Sequence, residues 1–168
     1  DLNDLDFCIM KATESVNDVD SYCDRFYQIA KRKNVKRGVY HLLTSAARGK
    51  TQADYFLKHI EGYVHDAMLI LDIEGTSSYY TRDVSTAVEF CERVISETSV
   101  KPVVYMNMAT LDAEDWKPVV DLGCDLWIAN YWFGDKRVDW SDMDPSSHMA
   151  SPDEFPYAAL WQFTETGK

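Results

Sequence analysis

The sequence predicts an α/β domain built on a parallel sheet. Strand-like and helix-like segments alternate from end to end. The strand-like segments are short apolar runs, the signature of strands buried on both faces of a parallel sheet. No glycine-rich phosphate loop follows any of them, which removes the nucleotide-binding form of the doubly wound fold. Strands alternating with helices pair in parallel through right-handed crossovers, so the candidates are a (β/α) barrel and an open doubly wound sheet.

Each element has its own local reason. Asp6–Lys11 reads as a strand. Asp18 is placed to cap a helix whose apolar residues Tyr22, Phe26, Ile29 and Ala30 recur at helical spacing. Gly38–Leu43 is the next strand, and Ala53, Phe56, Leu57 and Ile60 mark a helix that runs into Gly62. Ala67–Glu74 is a strand. Val84, Ala87, Val88, Cys91, Val94 and Ile95 form the clearest amphipathic helix of the chain. Pro102–Asn107 follows as a strand, with its proline at the start, where a missing N–H is tolerated. A short helix is expected around Trp116–Val120, then strands at Asp125–Tyr131 and Ala158–Phe163. Between these last two, Trp132–Pro156 holds three of the five prolines and breaks the rhythm, so it reads as a surface excursion from a single domain spanning residues 1–168.

One strand carries chemistry. Met68-Leu69-Ile70-Leu71-Asp72-Ile73-Glu74-Gly75-Thr76 is an apolar run that ends in two carboxylates one residue apart and stops at a glycine. Side chains on a strand alternate faces, so Asp72 and Glu74 point the same way, with Cα atoms roughly 6.5 Å apart. Met68 and Ile70 share that face and are expected to fill the layers beneath the acids. Two neighbouring carboxyls titrate as a coupled unit, and proximity tends to keep one of them protonated. One protonated and one ionised carboxyl are the equipment of acid-catalysed glycosidic cleavage. In either candidate architecture ligands bind at the carboxyl ends of the strands, where this pair lies.

Composition narrows the partners. The net charge is −11, from 17 basic and 28 acidic residues. That argues against a nucleic-acid backbone and against electrostatic capture by an anionic membrane or cell wall, and it is compatible with a neutral sugar chain. No apolar run is long enough to span a bilayer. The cysteines, Cys8, Cys23, Cys91 and Cys124, form no C-x-x-C pair and read as buried free thiols of a reducing compartment. The histidines show no metal-ligand spacing. A hydrolase metal site made of Asp72, Glu74 and His41 is nevertheless a rival reading of the acid strand, and so is a structural ion network of the pair with Lys11 and nearby arginines.

Other strand ends bring polar and aromatic groups to the same rim: Tyr40 and His41, Tyr105 and Asn107, Trp127, Asn130 and Tyr131, and Trp161-Gln162. Together they outline a cleft with carboxylates at the bottom and rings around the edge. The order of these motifs resembles the glycoside hydrolase family 25 lysozymes, the type found in many phage endolysins. Asp6-Phe7-Cys8-Ile9-Met10-Lys11-Ala12-Thr13-Glu14-Ser15 is similar to that family's second strand and Gly38-Val39-Tyr40-His41 to its third. Leu71-Asp72-Ile73-Glu74-Gly75-Thr76 resembles its D-x-E strand, Pro102-Val103-Val104-Tyr105 the next, and Trp127-Ile128-Ala129-Asn130-Tyr131 and Trp161-Gln162-Phe163-Thr164 the later ones. The longer acidic motif of chitinases, D-x-x-D-x-D-x-E, is not matched, because Met68 and Ile70 stand before Asp72.

The resemblance implies a modified TIM-like (β/α)5(β)3 barrel. It implies an enzyme, a peptidoglycan hydrolase that cleaves the β-1,4 bond between N-acetylmuramic acid and N-acetylglucosamine. Glu74 would be the general acid, and Asp72 would orient the acetamido group or stabilise the oxocarbenium-like charge. Tyr40, Tyr105, Trp127, Asn130, Tyr131 and Gln162 would line the sugar subsites, with Lys11 supporting the acids. It implies no metal and no cofactor, a monomer, and peptidoglycan glycan strands as the partner. The protein would be made in a bacterial cytoplasm, or secreted, and act at the cell wall. The family pattern also contains a first and a last strand, each with an aspartate, that have no counterpart here; Asp1 and Asp4 fall where a first helix ends. The barrel is therefore expected to be incomplete at both termini, and the 168 residues to be part of a longer protein. A non-catalytic glycan-binding remnant is the alternative function.

Overall fold

The computed structural model describes residues 5–75, 77–132, 143–148 and 154–165. Its elements run β1 (Phe7–Glu14), β2 (Asp18–Val19), α1 (Cys23–Arg32), β3 (Lys36–Leu42), α2 (Gly49–Ile60), β4 (Met68–Ile73), α3 (Val84–Thr98), β5 (Val103–Asn107), α4 (Met108–Leu111), α5 (Lys117–Asp121), β6 (Asp125–Ala129), α6 (Pro145–His148) and β7 (Ala158–Gln162). The strands form one seven-stranded sheet in the order β2-β1-β3-β4-β5-β6-β7. All pairings are parallel except the short antiparallel pair of β1 with β2. The sheet curls into a half-barrel. Asp1, Asp4, Thr76 and most of the Trp132–Pro156 excursion lie outside the described residues.

The alternation read from sequence reappears as layers. One face of the sheet carries the helices, and the apolar core lies between them: Val39, Leu69, Leu71, Ile73, Val104, Met106, Leu126 and Ile128 of the strands meet Phe56, Ile60, Ala87, Phe90, Cys91 and Val94 of α2 and α3. Helix α3 is bounded as its sequence suggests. Asp83 caps its start, accepting from the Thr86 N–H at 2.8 Å, and Ser99 ends it in a left-handed conformation. Helix α2 starts against the backbone of α3, and only a glycine fits there: a Cβ on Gly49 would lie 1.8 Å from the Thr86 carbonyl oxygen.

Three local expectations are corrected. Asp18 does not cap α1 but lies in β2; Asp20 shapes the approach instead, accepting from the Tyr22 N–H at 2.8 Å. The buried face of α1 is Cys23, Tyr27 and Ala30, while Tyr22 and Phe26 are 58% and 43% exposed. The two faces differ by one residue in phase and both carry aromatics, so spacing alone chose the wrong one. Met68 fills no inner layer; it is exposed at the start of β4, and Ile70 alone lies beneath the acids.

All four cysteines are free, and Cys23, Cys91 and Cys124 are buried. Among the described residues, no helix is long and apolar enough to cross a membrane.

Candidate active site

The cleft opens on the face of the sheet opposite the helices, at the carboxyl ends of the strands. Tyr40 of β3, Ile70 and Asp72 of β4, Glu74 just beyond it, Tyr105 of β5, Trp127 of β6 and Gln162 of β7 line it. The in-register rows explain the convergence: Asp72 pairs with Tyr105, and Tyr105 with Trp127. Its volume is about 180 Å³. That is small beside the roughly 300–1,000 Å³ of whole ligand pockets.

The two acids differ sharply in surroundings. Asp72 occupies the second-to-last position of β4, between Leu42 and Tyr105, and is 7% exposed. Its Oδ1 is buried with no hydrogen-bond partner. Desolvation, then the neighbouring Glu74 charge, push its carboxyl up to about 8. Glu74 stands past the last rung of the strand and is exposed. Gly75 follows with φ +67°, a left-handed conformation that turns the chain away. Neither acid pairs with a cation among the described residues. Lys11 instead hydrogen-bonds Glu14, lies 3.8 Å from Asp18, and acts on Asp72 only through its charge. The structural ion network around the pair is therefore not formed.

The rings are held by polar contacts of their own. The Tyr105 hydroxyl donates to Gln162 Oε1 at 2.7 Å, and its ring meets Trp127 edge-on at 4.7 Å between centroids. Burial, then the nearby Tyr131, raise the Tyr105 hydroxyl far above its usual range. Burial and the Asp72 charge push Tyr40 up to about 12. Both phenols remain protonated donors over the physiological range.

Six predicted residues therefore share the cleft: Asp72, Glu74, Tyr40, Tyr105, Trp127 and Gln162. Three others stand outside it. Tyr131 touches it through Tyr105. Asn130 uses its backbone to tie β6 to β7, donating to the Gln162 carbonyl at 3.0 Å and accepting from Trp161 Nε1 at 2.8 Å. Lys11 belongs to the neighbouring β1 cluster. Asn107 is spent as the cap of α4, its Oδ1 accepting from the Thr110 N–H at 2.9 Å. Trp161 packs toward the core. His41 is on the wrong face for the metal reading: fully buried, it stacks on Phe90 at 5.1 Å on the helix side of the sheet. Among the described residues no group of three His, Cys, Asp or Glu side chains is arranged to hold a metal ion.

Glu14 went unnamed as a site residue. Lys11 and the Tyr79 hydroxyl hold it on the cleft side of β1. Strict alternation from Lys11 sends it to the other face, and only a bulge reverses that.

Comparison with known proteins agrees with this architecture. The family model of glycosyl hydrolases family 25 matches residues 2–168. An autolytic lysozyme of Clostridium acetobutylicum is 31% identical over 134 residues, covering 79% of this chain and 40% of that protein. Lysozyme M1 of Streptomyces globisporus is 27% identical over 177 residues, 98% of this chain and 55% of that protein. The chain thus spans from about two fifths to just over half the length of curated relatives that it matches. The crystal structure of a bacterial lysozyme from Streptomyces coelicolor superposes with a TM-score of 0.79 at 23% identity, over 99% of this chain and 76% of that one.

Proposed function

Because the chain belongs to glycosyl hydrolases family 25, we propose that it is a peptidoglycan hydrolase that cleaves the β-1,4 bond between N-acetylmuramic acid and N-acetylglucosamine. The observation that carries the proposal is the inequality of the two acids: a buried, proton-holding Asp72 beside an exposed Glu74 in an aromatic cleft. The open sheet is, on this reading, the larger arc of a (β/α)5(β)3 barrel, with the cleft at its mouth.

The chemistry follows from one shared proton. It resides on the carboxyl that is desolvated. In the free protein that is Asp72. A sugar lying over Glu74 strips water from that carboxyl and favours its protonated form. Glu74 then delivers the proton to the leaving glycosidic oxygen. Asp72, left ionised in a site of low polarity, stabilises the oxocarbenium-like charge or orients the acetamido group, and a water adds its hydroxyl to the anomeric carbon and returns its proton to the carboxyl pair. Trp127 and Tyr105 present ring faces and edges to the sugar, while Gln162 and the Tyr40 hydroxyl offer hydrogen bonds. The substrate partner is the glycan strand, and the place of action is the cell wall.

Purified peptidoglycan tests this. The expected result is new reducing ends on N-acetylmuramic acid, lost by about 100-fold or more in Glu74→Gln, with the melting temperature of that variant held because Glu74 is exposed. Glycan binding without new reducing ends overturns the hydrolysis and leaves a binding module.

A further inference from the structure

Strand β1 contains a register shift between Lys11 and Thr13 against β3: Lys11 pairs with Tyr40, and Thr13 with His41, leaving Ala12 as the extra residue. A bulge of this kind reverses the facing of everything after it. Without it, alternation from Lys11 would put Thr13 in the cleft and Glu14 among the helices. With it, Thr13 is fully buried on the helix side and Glu14 joins Lys11 on the cleft side, in the row of Leu42 and Asp72. Nothing in the local sequence demands the bulge, since no glycine stands there.

The anchor is a chain of buried hydrogen bonds whose polarity can be deduced. Gln52 Nε2 donates both its hydrogens to carbonyls, Thr44 at 2.9 Å and Ala47 at 2.7 Å. Its Oε1 accepts from the Thr44 N–H at 3.0 Å. Backbone groups admit no reversal, so the amide orientation is set. Oε1 also lies 3.2 Å from His41 Nε2, which must therefore carry the hydrogen. The imidazole is uncharged, because burial between Phe56 and Phe90 pushes it down to about 4. Its Nδ1 is then a bare acceptor, and Thr13 Oγ1 donates to it at 2.8 Å.

We propose that the Gln52–His41–Thr13 chain is a positioning device: it locks the β1 bulge and thereby holds Glu14 on the cleft side of the sheet, as a third carboxylate in the row of Asp72. His41 and Thr13 touch no substrate; they act through Glu14. The groups facing Asp72 are Lys11 and Glu14 from β1, Tyr40 from β3, Glu74 beyond β4 and Tyr105 from β5, and only Glu14 owes its place to the bulge. The Glu14 charge opposes ionisation of Asp72 and so helps the pair keep its proton.

The inference rests on the proposed cleft chemistry only for its importance, so its test does not use turnover. The Asp72 carboxyl is followed by carbon-13 NMR across pH in the full chain. Glu14→Gln is expected to lower its midpoint by about one pH unit, the effect of a unit charge two strand spacings (~10 Å) away at an effective dielectric of about 20. Thr13→Val, which keeps shape and removes the donor, is expected to lower it equally, and to add nothing in a Glu14→Gln background. Thr13→Ser is expected to restore it. A Thr13→Val protein that melts earlier while Asp72 titrates as before overturns the proposal, for Thr13 is then only a core residue. Nitrogen-15 shifts of His41 in the unaltered protein supply a check that needs no variant: hydrogen on Nε2 supports the chain, and hydrogen on Nδ1 overturns it. Peptidoglycan that is not cleaved refutes the proposed function and leaves these titrations standing.

Discussion

Asp72→Asn separates the electrostatics of the acid pair from the catalysis proposed for it. In the fold the Asp72 carboxyl is pushed from 3.8 to about 8, first by desolvation and then by Glu74. Between those values the folded protein holds a proton that the unfolded chain has lost. Stability therefore falls as pH rises through this window, at up to about 1.4 kcal/mol per pH unit. Below about pH 4 both states are protonated and the penalty vanishes; above about pH 8 it is complete. From pH 5 to pH 8 the ceiling is about 4 kcal/mol. Burial of the side chain at 7% exposure means that solvent screens little of it.

An asparagine has nothing to ionise. Its own burial changes stability by an amount independent of pH, so the gap between variant and parent is the quantity to follow. Moving from pH 5 to pH 8, the gap is expected to change in favour of Asp72→Asn by about 2–4 kcal/mol. For a chain of this size that is roughly 5–15 °C in melting temperature. The assay is thermal unfolding followed by circular dichroism at half-unit pH steps. Melting temperatures for parent and variant that run parallel from pH 5 to 8 refute the argument, because they require Asp72 to ionise as easily folded as unfolded.

Two further outcomes test the scaffold. Gly49→Ala is expected to destabilise by about 3 kcal/mol, the upper part of the overpacking range, since its Cβ meets the Thr86 carbonyl rather than a movable side chain; chemical denaturation measures it. Tyr105→Phe removes the donor to Gln162 Oε1 and is expected to cost about 1–2 kcal/mol while raising KM more than it lowers kcat, read from unfolding and from steady-state release of reducing ends.

The pattern of what the residues announce and what they hide has a physical basis. The β/α alternation is legible because burial on both faces of a parallel strand forces a continuous apolar run, as in Met68–Ile73. The cleft rings are legible because strand parity, once Asp72 and Glu74 set the face, is carried by register to Tyr105 and Trp127. Helix α1 was misread because Tyr22 and Phe26 offer as apolar a stripe as Cys23, Tyr27 and Ala30, and only the position of the sheet decides between them. Glu14 escapes local pattern for a different reason. Its facing depends on a bulge in β1, and the bulged segment meets His41, 28 residues away, through the Thr13 hydroxyl. No local pattern reports a hydrogen bond of that span.

The acid pair joins both cases. Spacing establishes that Asp72 and Glu74 share a face, and nothing in spacing makes them different. The difference arises from where the strand stops. Asp72 is still paired, with Leu42 on one side and Tyr105 on the other, and is shut away from water. Glu74 is two residues further along, past the last rung, where Gly75 turns the chain outward. A β4 longer by two paired residues would bury both carboxyls and drive both toward the neutral form. A β4 shorter by two would expose both and leave both ionised. Only a strand ending between them yields one buried carboxyl that holds its proton and one that water and substrate can reach. The chemical asymmetry of the pair is thus a property of the strand end, just before Gly75 turns the chain.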